Sequence, residues 1–276
     1  MRIRFSKMHG LGNDFMVVDL VTQHVEIDAG LVRRWADRRT GVGFDQLLTV
    51  EPPTSPDADF RYRIFNADGS EAEQCGNGAR CFAKFVADHR LSMKPSLSIQ
   101  TVGGLITTSL RETDLVEVAM GVPTNEPARV PFVCHAPALS HRLSVNGTEV
   151  EVTPVSIGNP HAVLFVDDVA NAPIATLGPL LEHHPAFPQR TNVEFCEVVD
   201  RGFARLRVWE RGVGETRACG TGACAAMVAG RLHGRFDTRV KISLPGGKVR
   251  IEWPEATSPV VLVGPACLVY EGEILW

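Results

Sequence analysis

No stretch of this chain approaches the roughly 20 consecutive apolar residues of a membrane-spanning helix, and the opening Met1 to Gly10 lacks the apolar core of a secretory signal. Acidic residues outnumber basic ones, the formal net charge is −4, and no Lys/Arg run stands out, which argues against a nucleic-acid surface. A soluble, cytoplasmic protein with neither a nucleic-acid nor a membrane partner is expected. Cysteine is sparse: seven residues, an odd number without dense spacing, argue against a disulfide framework. Cys75-x5-Cys81 and Cys219-x4-Cys224 lack the usual spacing of zinc ligands. Cys81, Cys134, Cys196, Cys224 and Cys267 read as small buried filler. There is no Gly-x-Gly-x-x-Gly unit opening a βαβ pattern, no P-loop and no His-Glu-x-x-His. Lys7, Lys84, Lys94, Lys241 and Lys248 stand in no recognisable Schiff-base context. The expectation is a protein that needs neither cofactor nor metal.

What is present is a duplication. Gln74-Cys75-Gly76-Asn77-Gly78-Ala79 matches Ala218-Cys219-Gly220-Thr221-Gly222-Ala223, and the separation, 219 − 75 = 144, is about half of the 276 residues. Gly12-Asn13 pairs with Gly158-Asn159, Gln46 with Asn192, Arg63-Ile64-Phe65-Asn66 with Arg207-Val208-Trp209-Glu210, and Gly103-Gly104 with Gly246-Gly247. These pairs keep one order at nearly one spacing, so the chain holds two structural copies.

Short alternating segments predict strands over Arg61 to Phe65, Leu115 to Val118, Arg205 to Trp209, Lys241 to Leu244, Val249 to Trp253 and Val260 to Val263. Ala79, Phe82, Ala83 and Val86 fall at i, i+3, i+4 and i+7 and predict a helix after Cys75. Ala223 to Ala229 is apolar all round, as a helix enclosed by a sheet would be, and it ends near Gly230 to Gly234. Glu51 to Asp57 reads as a surface loop, and Val122 to Pro127 as the linker. Each half is thus many strands around one or two helices, an α+β arrangement of two pseudo-symmetric domains, each a mixed or antiparallel sheet wrapped around a central helix. Residues 1–120 form the expected N-terminal domain and 121–264 the C-terminal one.

One thiol from each half, aimed at one small molecule, suits moving a proton across a stereocentre. Each special cysteine precedes Gly-x-Gly-Ala and then a helix. A helix N-terminus lowers a thiol's pKa, and its unpaired N–H groups bind a carboxylate. The same dipoles stabilise the dianion formed when a very weakly acidic α-hydrogen leaves. One sulfur takes the proton as thiolate while the other donates as thiol. His161 and Glu210 are candidates to set thiol protonation, and Arg211 to clamp a second carboxylate. Asn13, Gln46, Asn66, Asn159 and Asn192 form a polar lining contributed by both halves. On the residues alone, buried structural cysteines at helix starts, a redox or metal switch, and a proline- or hydroxyproline-type racemase stay open.

The segments Lys7 to Phe15, Gly41 to Gln46, Phe65 to Ser70 running to Gly78, Gly158 to His161, Arg190 to Val193, Trp209 to Gly212 and Ala218 to Gly222 together resemble the diaminopimelate epimerase family. The loop from Glu51 to Asp59 and the stretch from Val130 to Leu143 carry none of its motifs. The resemblance implies a cofactor-independent epimerase interconverting LL- and meso-diaminopimelate in lysine and peptidoglycan-precursor synthesis. It makes Cys75 and Cys219 the acid/base pair, tuned by His161 and Glu210. Asn13, Gln46, Asn66, Asn159, Asn192, Glu210 and Arg211 become substrate ligands, with the backbone of Gly76-Asn77 and Gly220-Thr221 on the reacting carboxylate. It also implies a tail, 265–276, returning to the first domain, and a homodimer with Tyr270 at the contact.

Overall fold

The computed structural model describes residues 2–72, 75–111 and 115–275. Gln74, at the head of the first cysteine segment, and Met1 and Trp276 of the expected first domain lie outside them. The chain divides into two compact units, residues 2–119 with 264–275, and residues 120–263. Among the described residues no helix is long and apolar enough to cross a membrane.

In the first unit the chain runs β1 (Arg2–Gly10), β2 (Asn13–Asp19), α1 (Ala29–Ala36), β3 (Gln46–Glu51), β4 (Phe60–Asn66), β5 (Glu71–Ala72), α2 (Gly76–Asp88), β6 (Ser96–Thr101), β7 (Gly104–Leu110) and β8 (Leu115–Ala119). Alternation makes these strands: β4 buries Phe60, Tyr62 and Ile64 on one face. β1 and β2 are antiparallel, β2 and β3 parallel, β3 and β4 antiparallel, β4 and β6 parallel, and β6, β7 and β8 antiparallel.

The second unit repeats that sequence of pairings. Its elements are β9 (His141–Val145), β10 (Thr148–Ser156), β11 (Pro160–Phe165), α3 (Ile174–Glu182), β12 (Asn192–Asp200), β13 (Phe203–Glu210), β14 (Gly214–Thr216), α4 (Gly220–Leu232), β15 (Arg239–Leu244), β16 (Gly247–Glu252) and β17 (Val261–Pro265). β10 and β11 are antiparallel, β11 and β12 parallel, β12 and β13 antiparallel, β13 and β15 parallel, and β15, β16 and β17 antiparallel. The last strand, β18 (Cys267–Leu275), pairs antiparallel with β1 in the first unit. Two α+β units with one connectivity are what the spacing of repeats implies, and every predicted strand lies within an observed one to within a residue.

α2 and α4 each pack against several strands of their own unit, and nearly every residue of both is buried. The outer face of each sheet is closed by a second helix. α1 brings Leu31, Val32 and Trp35 against Met16, Phe44 and Leu47, and α3 brings Ile174 and Leu181 against Val193 and Phe195. α4 ends as its glycines predict: Gly234 takes φ 69°, and Arg235 N–H donates to the Gly230 carbonyl at 2.8 Å. Inside that helix, a Cβ at Gly230 would collide with the Phe236 ring. Gly230→Ala should therefore lower stability by about 1–3 kcal/mol through overpacking, although alanine is the better helix former by roughly 1 kcal/mol. Urea denaturation checks this; a variant as stable as the parent would mean that the ring moves aside without cost.

Candidate active site

Both special cysteines are the N-caps of the central helices. Cys75 caps α2 from an extended backbone (φ −142°, ψ 113°), and its sulfur accepts from Gly78 N–H at 3.4 Å. Cys219 caps α4 with φ −117° and ψ 113°, accepting from Gly222 N–H at 3.4 Å. The sulfur thus occupies the place a serine or aspartate oxygen usually fills, beside the positive end of the helix. No Cβ fits at the second glycine of either segment. At Gly78 it would strike the Tyr62 hydroxyl, and at Gly222 it would lie 2.9 Å from Glu194 Oε1. Glycine is required there for close approach rather than for backbone freedom.

In the first unit the expected polar residues meet at one sheet edge, where β2 and β3 begin and β4 ends. The Cys75 thiol lies 3.7 Å from Asn13 Oδ1, which also accepts from Asn77 Nδ2 at 3.3 Å. Gln46 Nε2 donates to Asn66 Oδ1 at 2.9 Å across the β3–β4 pair. A charged network fixes this edge. Asn13 Nδ2 donates to Asp45 at 3.0 Å, Arg38 donates to both Asp14 oxygens at 3.0 and 2.7 Å, and Lys7 pairs with Asp14. Burial pushes against the Asp14 charge, but the Arg38 and Lys7 cations outweigh it and hold the carboxyl well below the usual carboxylate range.

The second unit gathers its residues at the equivalent edge, where β11 and β12 begin and β13 ends. His161 stands opposite Asn192 in the parallel pair. His161 Nε2 lies 3.0 Å from Asn159 Oδ1, and Asn192 Oδ1 accepts from the Arg211 backbone N–H at 2.8 Å. Glu210 is hydrogen-bonded to Thr216 and to Cys219. Burial pushes the Glu210 carboxyl up, against those two hydrogen bonds and the nearby His161. The Cys219 side is the reverse of what a helix terminus alone predicts. Burial first, and then the Glu210 charge, push its thiol well above the ordinary range, overriding Thr221 and the Gly222 N–H. At 4% exposure, desolvation of a thiolate outweighs half a charge of helix dipole. Cys219 is a protonated thiol at neutral pH. Of the five cysteines expected to be buried filler, Cys81, Cys196 and Cys224 are buried, and burial raises Cys81 and lifts Cys196 to about 12, whereas Cys134 and Cys267 are only half-buried.

Sequence reading missed three groups. Glu194 is fully buried, with Oε1 2.7 Å from His161 Nδ1. Glu182, 3% exposed, accepts from Trp209 Nε1–H at 2.8 Å and from Gly212 N–H at 2.9 Å, and so fixes the turn that carries Arg211. The Lys7–Asp14–Arg38–Asp45 network is the third. A signal for Glu194 existed, because the repeat sets this acid in an apolar strand where the first copy has Leu48.

A family model described as Diaminopimelate epimerase matches residues 5–125 and 153–269. The chain is 59% identical over 274 residues to the diaminopimelate epimerase of Stutzerimonas stutzeri (strain A1501) and 58% identical to that of Pseudomonas aeruginosa (strain UCBPP-PA14), each match covering 99% of both chains. Among solved structures, a hydroxyproline epimerase from Agrobacterium vitis aligns with TM-score 0.71 at 16% identity, covering 99% of this chain and 92% of that one. A PhzF-family phenazine biosynthesis protein of Bacillus anthracis aligns with TM-score 0.69 at 19% identity over the whole of both chains. At those identities the two structures share the fold alone.

Proposed function

The chain belongs to the diaminopimelate epimerase family, and on that premise we propose that it interconverts LL- and meso-diaminopimelate, a reaction of lysine and peptidoglycan-precursor synthesis, by moving one α-proton between two cysteines. The observation that carries the two-base reading is the matched capping: each unit offers one sulfur beside one helix N-terminus, with its polar residues at the same sheet edge. Neutral water is a poor base for so weak a carbon acid, so the barrier must fall chiefly by stabilising the dianionic intermediate. The N–H groups of Gly76-Asn77 and Gly220-Thr221 supply that term at the reacting carboxylate. Cys219 starts as the thiol and donates, and Cys75 takes the proton from the other face. In the reverse direction the roles exchange. His161 and Glu210 set thiol protonation, while Asn13, Gln46, Asn66, Asn159, Asn192 and Arg211 hold the rest of the substrate. In this reading the enzyme is cytoplasmic, needs no cofactor, and works as a homodimer in which Tyr270, 44% exposed and edge-on to Phe5, lies at the contact.

The test is an assay of LL-diaminopimelate in deuterium oxide, with a reductant and no added cofactor. Meso product should accumulate with deuterium at the inverted carbon, and proline should not turn over. Product without α-deuterium, or proline as the better substrate, would overturn the reading.

A further inference from the structure

Two buried groups of the second unit break the internal repeat. On the β2–β3 pair Phe15 stands opposite Gln46, and on the β11–β12 pair His161 stands opposite Asn192. Two residues further on, with side chains on the same face, the first unit has Leu48 and the second Glu194. Both lie under the start of the central helix. A Cβ at Gly78 would sit 3.3 Å from Leu48 Cδ2, and one at Gly222 would sit 2.9 Å from Glu194 Oε1. The fold therefore accepts an apolar pair at this place, and one copy has it. The other copy carries an acid and an imidazole, both 0% exposed. Burying two ionisable groups there disfavours folding unless they are fully hydrogen-bonded. They are not: Glu194 Oε2 is buried without a hydrogen-bond partner. Stability does not account for this pair, so its reason lies in the site.

Resting on the functional reading above, we propose that Glu194 is a positioning residue of the reaction, fixing the His161 ring so that Nδ1 is held by the carboxylate and Nε2 is presented to Asn159. Glu194 Oε1 lies 2.7 Å from Nδ1 and Asn159 Oδ1 lies 3.0 Å from Nε2, so an oxygen acceptor faces each ring nitrogen. A buried carboxylate behind an imidazole keeps a proton on Nδ1 and fixes one ring orientation, as it does behind metal-bound and catalytic histidines. Burial pushes the Glu194 carboxyl up while His161 pulls it down. Phe15 and Leu48, the equivalent pair of the first unit, cannot do this.

Two variants, Glu194→Leu and Glu194→Gln, test the assignment on the full-length enzyme labelled with [15N]histidine. Leucine is the residue the first copy tolerates in this position. Glu194→Leu should lower kcat by roughly 30-fold with KM within about threefold, because ring orientation is lost while substrate contacts remain. Its His161 nitrogen resonances, recorded without substrate, should move from the parent's fixed pattern toward tautomer-averaged values. Glu194→Gln, which keeps an acceptor for Nδ1–H, should recover most of kcat and retain the proton on Nδ1. Unmoved His161 resonances in either folded variant's comparison with the parent where they are expected to move, or a Glu194→Leu kcat within twofold of the parent, would overturn the proposal. Should the leucine variant fail to fold, the glutamine variant decides: loss of the carboxylate must still shift the Nδ1 resonance. The resonances are read without substrate, so a parent enzyme that does not epimerise diaminopimelate would refute the functional reading and leave the ring-fixing result to stand by itself.

Discussion

Replacing either Cys75 or Cys219 with alanine should abolish inversion, lowering kcat/KM by at least about 10⁴-fold in each variant. Proton abstraction and proton return each depend on a positioned acid or base worth roughly 10²–10⁴-fold, and inversion needs both in every turnover. Alanine also removes an N-cap, which costs about 0.5–2 kcal/mol, so some loss of stability accompanies the loss of activity. Serine separates the two effects. Its hydroxyl caps a helix at least as well as a thiol, so Cys219→Ser should regain the parent's thermal midpoint. Activity should stay depressed, because an alcohol is a far weaker acid than a thiol and its alkoxide is not populated at neutral pH. If these sulfurs only capped helices, the serine enzyme would be both stable and active. A Cys219→Ser enzyme with kcat/KM near the parent's would end the two-base mechanism, and so would an active Cys75→Ala enzyme.

The duplication was readable because the residues it preserves are those the backbone cannot do without. Gly78 and Gly222 persist because a Cβ has no room, and the cysteines in front of them stand out by contrast. Strands with clean alternation, such as β4 and β13, were legible for the usual reason that one face is buried. The outer helices were not. α1 is only eight residues long, and α3 contains Gly178 and Pro179. α3 forms because tertiary packing overrides propensity: a Cβ at Gly178 would sit 2.7 Å from Trp209 Cγ, so the glycine lets the indole lie against the helix. Glu194 was hidden in a different way. A repeat is recognised by its matches, whereas the chemistry here sits in a mismatch, Leu48 against Glu194, that only strand register brings beside His161. The protonation of Cys219 was equally out of reach, since sequence shows the helix dipole and not the burial that defeats it.

Arg211→Met should raise KM for diaminopimelate about 10²-fold while leaving kcat within about threefold. The arginine is exposed on a tight turn in which Gly212 takes φ 75° and Val213 N–H returns to the Glu210 carbonyl at 3.1 Å. Two bonds hold that turn in place, Asn192 Oδ1 to the Arg211 N–H and the buried Glu182 to the Gly212 N–H. One guanidinium nitrogen, Nη1, donates to the Gln189 carbonyl at 3.1 Å, which orients the planar group. A carboxylate received bidentately on that fork gains two charge-assisted hydrogen bonds, and about 3 kcal/mol of net binding corresponds to roughly 10²-fold in affinity. The distal carboxylate takes no part in bond making, so ground state and transition state bind it alike and the loss falls on KM. Arg211→Lys should sit between, near tenfold, because the charge remains and the fork does not. An unchanged KM in Arg211→Met would remove the clamp. A loss confined to kcat would instead place Arg211 beside the reacting carbon, where its charge would serve the intermediate and not the far end of the substrate.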